Sequence, residues 1–158
     1  MMKQFKLFAT LILVAAISFS GCNKNNDDNE PSGSSGTMSL TVDGSTWSAT
    51  LAVQGVNSNG VINVTGSDSN ANQASVILYG ATGPGTYQVG PSNPSNQCRW
   101  TAGTDPINTY QANGVIGSGT ITITELTAAK VVGTFQFTGY NTAQASKVIT
   151  NGAFDVNF

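Results

Sequence analysis

The chain has 158 residues, with six lysines or arginines against eight aspartates or glutamates and no histidine. Without histidine, Ser-His-Asp and Cys-His catalysis and histidine-based zinc sites are excluded, and two cysteines are too few for a thiolate zinc site. Only Arg99, Lys130 and Lys147 are basic beyond residue 36, so no basic patch for nucleic acid can form.

The first segment carries Lys3 and Lys6, then an uncharged and mostly apolar run over residues 7–19. As a helix this run spans roughly 20 Å, short of the ~30 Å hydrocarbon core of a bilayer. A charged start and a short apolar stretch predict a secretory signal peptide over residues 1–21. The stretch closes on Ser20-Gly21-Cys22, which resembles the lipobox of bacterial lipoproteins, with Phe19 where leucine is usual. That resemblance implies diacylglyceryl transfer to the Cys22 thiol and cleavage just before it. Two or more acyl chains would then hold the protein firmly to a membrane. Asn23-Lys24-Asn25-Asn26-Asp27-Asp28-Asn29-Glu30 resembles the signal that sends Bacteroidota lipoproteins to the outer face of the outer membrane; the alternative is a solvated acidic linker. With Pro31-Ser32-Gly33-Ser34-Ser35-Gly36 it is expected to form a disordered polar tether over residues 22–36.

A single all-β domain is expected over residues 37–158, because apolar and polar residues alternate with period two almost throughout. Met38, Leu40 and Val42 lead to a tight turn at Asp43-Gly44, and Trp47, Ala49, Leu51 and Val53 continue the alternation in one strand. Residues 61–65 and 74–79 predict two more strands, and 86–89 a short one after Gly83-Pro84-Gly85. A Pro/Asn/Ser loop covers 90–96, followed by short strands at 97–102 and 108–111. Residues 119–126 and 131–140 alternate strongly. Asn151-Gly152 then predicts a hairpin between 147–150 and 153–158. The result is an antiparallel β-sandwich or a flattened up-and-down barrel of nine or ten short strands, with Trp47, Leu51, Ile121, Ile123, Phe135, Phe137, Phe154 and Val156 as its core.

Val42-Asp43-Gly44-Ser45-Thr46-Trp47, Gly85-Thr86-Tyr87, Gly119-Thr120-Ile121-Thr122-Ile123-Thr124, Gly133-Thr134-Phe135-Gln136-Phe137 and Ile149-Thr150-Asn151-Gly152-Ala153-Phe154 follow one another in a familiar order. In this the chain resembles a small family of Bacteroidota lipoproteins, domain-of-unknown-function family 6252. The resemblance implies an all-β domain on a lipid anchor and transfers no catalytic residue.

Few residues are candidates for chemistry. Asp43 and Asp105 sit in turns where aspartate caps its own backbone, which leaves little for a carboxylate pair. Asp68, Asn70 and Asn72 occupy positions 1, 3 and 5 of a calcium-loop pattern, but Gln73 and Tyr79 stand where glycine and glutamate belong, so any calcium site is weak. Cys98, with no partner once Cys22 is acylated, reads as a small core hydrophobe. Tyr87, Trp100 and Tyr110 are candidates for stacking on a ligand such as a sugar, although strand aromatics also form cross-strand pairs. The expected protein is a non-catalytic, cofactor-free binding or interaction module, lipid-anchored at the outer membrane and facing the cell surface, with a protein or glycan partner. The alternatives are a calycin-like barrel carrying a small apolar ligand and a carbohydrate-binding module.

Overall fold

The structure is a computed structural model and describes residues 36–158. The signal peptide, Cys22 and nearly all of the tether lie outside the described residues.

Eleven strands follow in chain order: β1 (Gly36–Val42), β2 (Ser45–Ser48), β3 (Ala52–Ser58), β4 (Val61–Ser67), β5 (Gln73–Tyr79), β6 (Gly85–Val89), β7 (Gln97–Thr101), β8 (Thr109–Ala112), β9 (Ser118–Leu126), β10 (Lys130–Tyr140) and β11 (Ser146–Asn157). The described residues hold no α-helix, only a 3-10 turn at Pro106–Asn108. All strands join one antiparallel sheet in the order β2-β1-β11-β10-β8-β7-β5-β4-β3. Long β10 pairs along one side first with β9, over residues 131–138, and then with β8 at Tyr140; β6 is the outer neighbour of β9. The sheet curls into a half-barrel, so the expected all-β antiparallel class holds, with one continuous sheet supplying both layers.

The curl is closed by a short connection. At residues 49–51, Ala49 N–H donates to the Met38 carbonyl at 2.9 Å, while the N–H groups of Thr50 and Leu51 donate to the Ser67 carbonyl at 3.1 and 3.0 Å. This break splits what the alternation suggested was one strand into β2 and β3. It also turns Leu51 outward, where it is 62% exposed, so Leu51 is not part of the core. The other expected core residues are buried, except that Trp47 is half-buried and packs against the cluster.

Aromatic rings pack the interior beside β10 and β11. Phe135 and Phe154 sit with ring centroids 6.1 Å apart, and Phe135 and Phe137 at 6.4 Å. A side chain at Gly152 would place its Cβ 2.7 Å from the Phe135 ring, and one at Gly133 would come 2.8 Å from the Phe154 ring. These glycines thin the sheet so that rings lie directly on it. The large apolar side chains near the C-terminus interdigitate with one another, each contributing about 1.5–3 kcal/mol by burial.

One expectation about turns is corrected, and one turn is new. Asn59-Gly60, between Ser58 and Val61, is a true two-residue hairpin turn, with φ of 51° and 78°. Asn151-Gly152 is not a turn: it lies inside the single strand β11. On β10 the register steps from Phe135↔Gly152 to Phe137↔Ile149, and on β1 from Ser39↔Ala153 to Thr41↔Thr150. Both neighbours therefore see one extra residue on β11, a bulge with Asn151 at φ 50°. The bulge lets Ile149 and Phe154, five positions apart, both point inward. The C-terminal segment is indeed a paired strand, but its partners are β1 and β10, not residues 147–150.

Where the ladder is missing, a side chain replaces it. β5 pairs with β7, leaving β6 without β5 as a neighbour. Buried Asn96 spans the gap, its Oδ1 accepting from Tyr79 N–H at 3.0 Å and its Nδ2 donating to the Gln88 carbonyl at 2.9 Å.

Candidate binding face

The aromatic candidates separate. Trp100 and Tyr110 are cross-strand partners on the inward side of β7 and β8, 4% and 8% exposed, and offer no open ring face. The correction follows from alternation: Cys98 and Ala112, two residues away on each strand, are fully buried, and the tryptophan and tyrosine share their side. Trp100 packs edge-on against Trp47 with centroids 5.1 Å apart. Tyr87, on β6 and away from the other two, is half-buried, and its hydroxyl donates to the Gly83 carbonyl at 2.7 Å. The open aromatic is Tyr79, 51% exposed at the end of β5. Its position in the outward phase of 73–79 was the available signal.

Asp68, Asn70 and Asn72 do come together, as a pinned loop. Asp68 Oδ1 accepts from the N–H groups of Asn70 at 2.8 Å and Asn72 at 2.9 Å. Its Oδ2 accepts from Trp47 Nε1 at 2.7 Å and Asn72 Nδ2 at 2.8 Å. The Asn72 Oδ1 accepts from Gly103 N–H at 3.0 Å. Burial pushes the Asp68 carboxyl pKa up, but the hydrogen bonds from Asn72, Trp47 and Asn70 outweigh it and hold the group below its ordinary value. The oxygens a cation would need are thus engaged by donors, and the carboxylate ties this loop to β2.

A more open arrangement lies on the outer face of β6, β9, β10 and β11. Three rows of outward side chains cross these strands: Thr86, Thr122, Thr134 and Ala153; Gln88, Thr120 and Gln136; Ser118, Thr138 and Val148. Two shallow depressions of about 400 and 390 Å³ sit on them, sharing Thr120 and Gln136. The turn at Pro91 and Ser92, closed by the Gly90–Asn93 bridge, forms one wall. Thr150 and Asn151, at the bulge, line the β11 side. No lining residue of either depression is charged. Thr86 and Thr122 bond to each other at 3.1 Å, but the side chains of Gln88, Thr120, Gln136 and Thr138 make no hydrogen bond to another described residue. These amides and hydroxyls stay open to a ligand.

A model of the family "Domain of unknown function (DUF6252)" matches residues 34–156. The chain belongs to this family. No curated protein and no solved structure matches it. The DUF6252 match begins just before β1 and takes in every strand except the final residue of β11, so the whole trough lies within it.

Two other features of the DUF6252 domain bear on chemistry. Cys98 is fully buried and free, and burial pushes its thiol far above the ordinary range, so it does not supply a thiolate. Asp43 accepts from Lys147 Nζ at 2.7 Å and from Val148 N–H at 3.0 Å, and the lysine lies 5.4 Å over the inward ring of Tyr110, away from the trough. The hydrogen bonds from Lys147 and Val148 hold the Asp43 carboxyl below its usual range. These two charges therefore satisfy each other.

Proposed function

We propose that the protein is a lipid-anchored, non-catalytic binding module displayed at the outer membrane surface, with the trough across β6, β9, β10 and β11 as its binding face. The trough carries the binding half of this reading, because uncommitted polar side chains in rows on four strands border two adjoining depressions of ligand size there. Ser20-Gly21-Cys22 and the acidic run after it carry the anchoring half. The histidine-free sequence, the buried thiol of Cys98 and the donor-saturated Asp68 support a role without catalysis. The interdigitated Phe135, Phe137 and Phe154 favour the outer face over the interior as the place of a ligand.

Radiolabelled palmitate should enter the wild-type protein and not Cys22→Ala, and protease added to intact cells should remove the domain. A Cys22→Ala protein that remains equally membrane-bound would end the anchoring claim. Protection until the outer membrane is broken would place the domain on its inner side.

A further inference from the structure

We infer that the trough binds a neutral glycan, a polyhydroxylated chain without uronate or sulfate groups, lying along β9, β10 and β11. The inference rests on the proposed binding role and names its ligand class.

The first argument is charge. Neither depression has a charged lining residue, and Asp155, two residues beyond Ala153 on the same face of β11, is paired with Lys130 at 3.0 Å. An anionic ligand would lose its hydration without gaining a cation, and a cationic one would find no carboxylate. The second argument is the kind of side chain. Protein partners are anchored by exposed Trp, Tyr, Arg or Met, and the trough has none of these. An apolar ligand is equally ill-matched, because hydroxyls and amides would be buried unpaired against it.

What remains is a ligand that is uncharged, rich in hydroxyls and apolar on its C–H faces. A glutamine amide offers an acceptor and two donors, the complement of neighbouring sugar hydroxyls, which each donate and accept. Gln88, Thr120 and Gln136 stand on three adjacent strands in one row, so these groups repeat at about the 4.8 Å strand spacing. Pro91 and half-exposed Val148 supply apolar surface for the sugar ring at either side. The two depressions meet at Thr120 and Gln136, making a continuous path for more than one sugar unit. The path follows β9, β10 and β11, and the Gln88-Thr120-Gln136 row crosses it where the two depressions meet.

The test uses the full-length acylated protein in detergent, presented to immobilised glucan, mannan and xylan oligosaccharides and to counterparts bearing uronate or sulfate. At least one neutral series should bind and the charged counterparts should bind less. Gln88→Ala with Gln136→Ala removes two exposed amides and should weaken that binding about tenfold or more at an unchanged melting temperature. Gln136→Glu, which keeps size and adds charge, should do the same, and it decides the matter if the double variant melts early. Silence on every neutral oligosaccharide, preference for the charged ones, or wild-type binding by Gln136→Glu would overturn the inference. The anchoring claim is read separately: a silent array with palmitate still dependent on Cys22 removes the glycan and leaves the anchored module. Glycan binding by a protein whose membrane attachment ignores Cys22 does the reverse.

Discussion

Asn59-Gly60 and Asn151-Gly152 are the same dipeptide, and their asparagines adopt nearly the same backbone, with φ of 51° and 50°. The first reverses the chain between β3 and β4 at the surface, with open space around Gly60. The second sits inside β11 with a paired strand on each side, and Gly152 touches the Phe135 ring. A left-handed asparagine followed by glycine thus specifies a local kink, and tertiary pairing decides whether it becomes a turn or a bulge. For β11 the alternatives differ in what they bury. A hairpin would fold 147–150 back on 153–158, whereas the bulge lets one twelve-residue strand pair on both edges.

Deleting Asn151 should separate the two sites most. Without the extra residue, the side chains before it exchange faces, so Ile149 turns outward while Val148 and Thr150 turn in. Losing a buried isoleucine costs about 1.5–3 kcal/mol before any misaligned ladder is counted, against a total stability of roughly 5–15 kcal/mol. The expected result is insoluble protein or one without a cooperative melt; a normal melt would show that the bulge does not set the register. Gly152→Ala comes next. Its Cβ would lie 2.5 Å from the Phe135 carbonyl oxygen, a backbone atom that cannot swing aside. About 2–3 kcal/mol of destabilisation is expected, read as a lowered denaturation midpoint at unchanged slope. Gly60→Ala meets nothing within 4 Å and incurs only the strain of φ 78°. That is about 1–2 kcal/mol, or a melting temperature lower by several degrees. If Gly60→Ala proved worse than Gly152→Ala, the contrast between turn and bulge would fail.

The smallest effect concerns the Asp43-Gly44 turn, left-handed at both residues like Asn59-Gly60, which the Lys147 contact ties to β11. The Lys147 and Val148 hydrogen bonds lower the Asp43 pKa in the folded state. Their contribution is therefore full above the unfolded-state value of about 3.9 and fades as pH falls through the lower folded-state value. Both partners are partly exposed, so the pair contributes at most about 1 kcal/mol. Lys147→Ala should melt slightly below wild type at pH 7 and approach it below about pH 4. A gap that widened in acid would contradict the assignment.

The strands were legible because outward and inward residues alternate, as in Ile121 and Ile123 or Phe135 and Phe137. Leu51 misled because residues 49–51 keep the alternation while their N–H groups bridge β1 and β4. Sequence period cannot distinguish a strand from a connection that happens to share it. Trp100 and Tyr110 are stacking candidates by aromatic type alone; their register with Cys98 and Ala112 puts them inside as a cross-strand pair. Asn96 gave no signal at all, since a loop asparagine ordinarily faces water. The trough was half legible: the outward positions of Thr120-Ile121-Thr122-Ile123-Thr124 and Thr134-Phe135-Gln136-Phe137-Thr138 are all uncharged. Their neighbour Gln88 joins them only through the pairing of β6 with β9, across more than thirty residues.

That β1 pairs with β11 has a kinetic consequence. Gly36 meets Val156, so the first strand joins the last across about 120 residues of chain. The entropy of closing so long a loop is lost before its contacts are gained, which places the domain among slow folders, in the millisecond-to-second range of non-local β proteins. The β3-β4-β5 and β9-β10-β11 meanders can assemble from local turns. Until β11 is available, however, β1 has only the four-residue β2 beside it and an open edge on its other side. An interrupted chain is therefore an aggregation hazard, and the final twelve-residue strand, by occupying that edge, ends it.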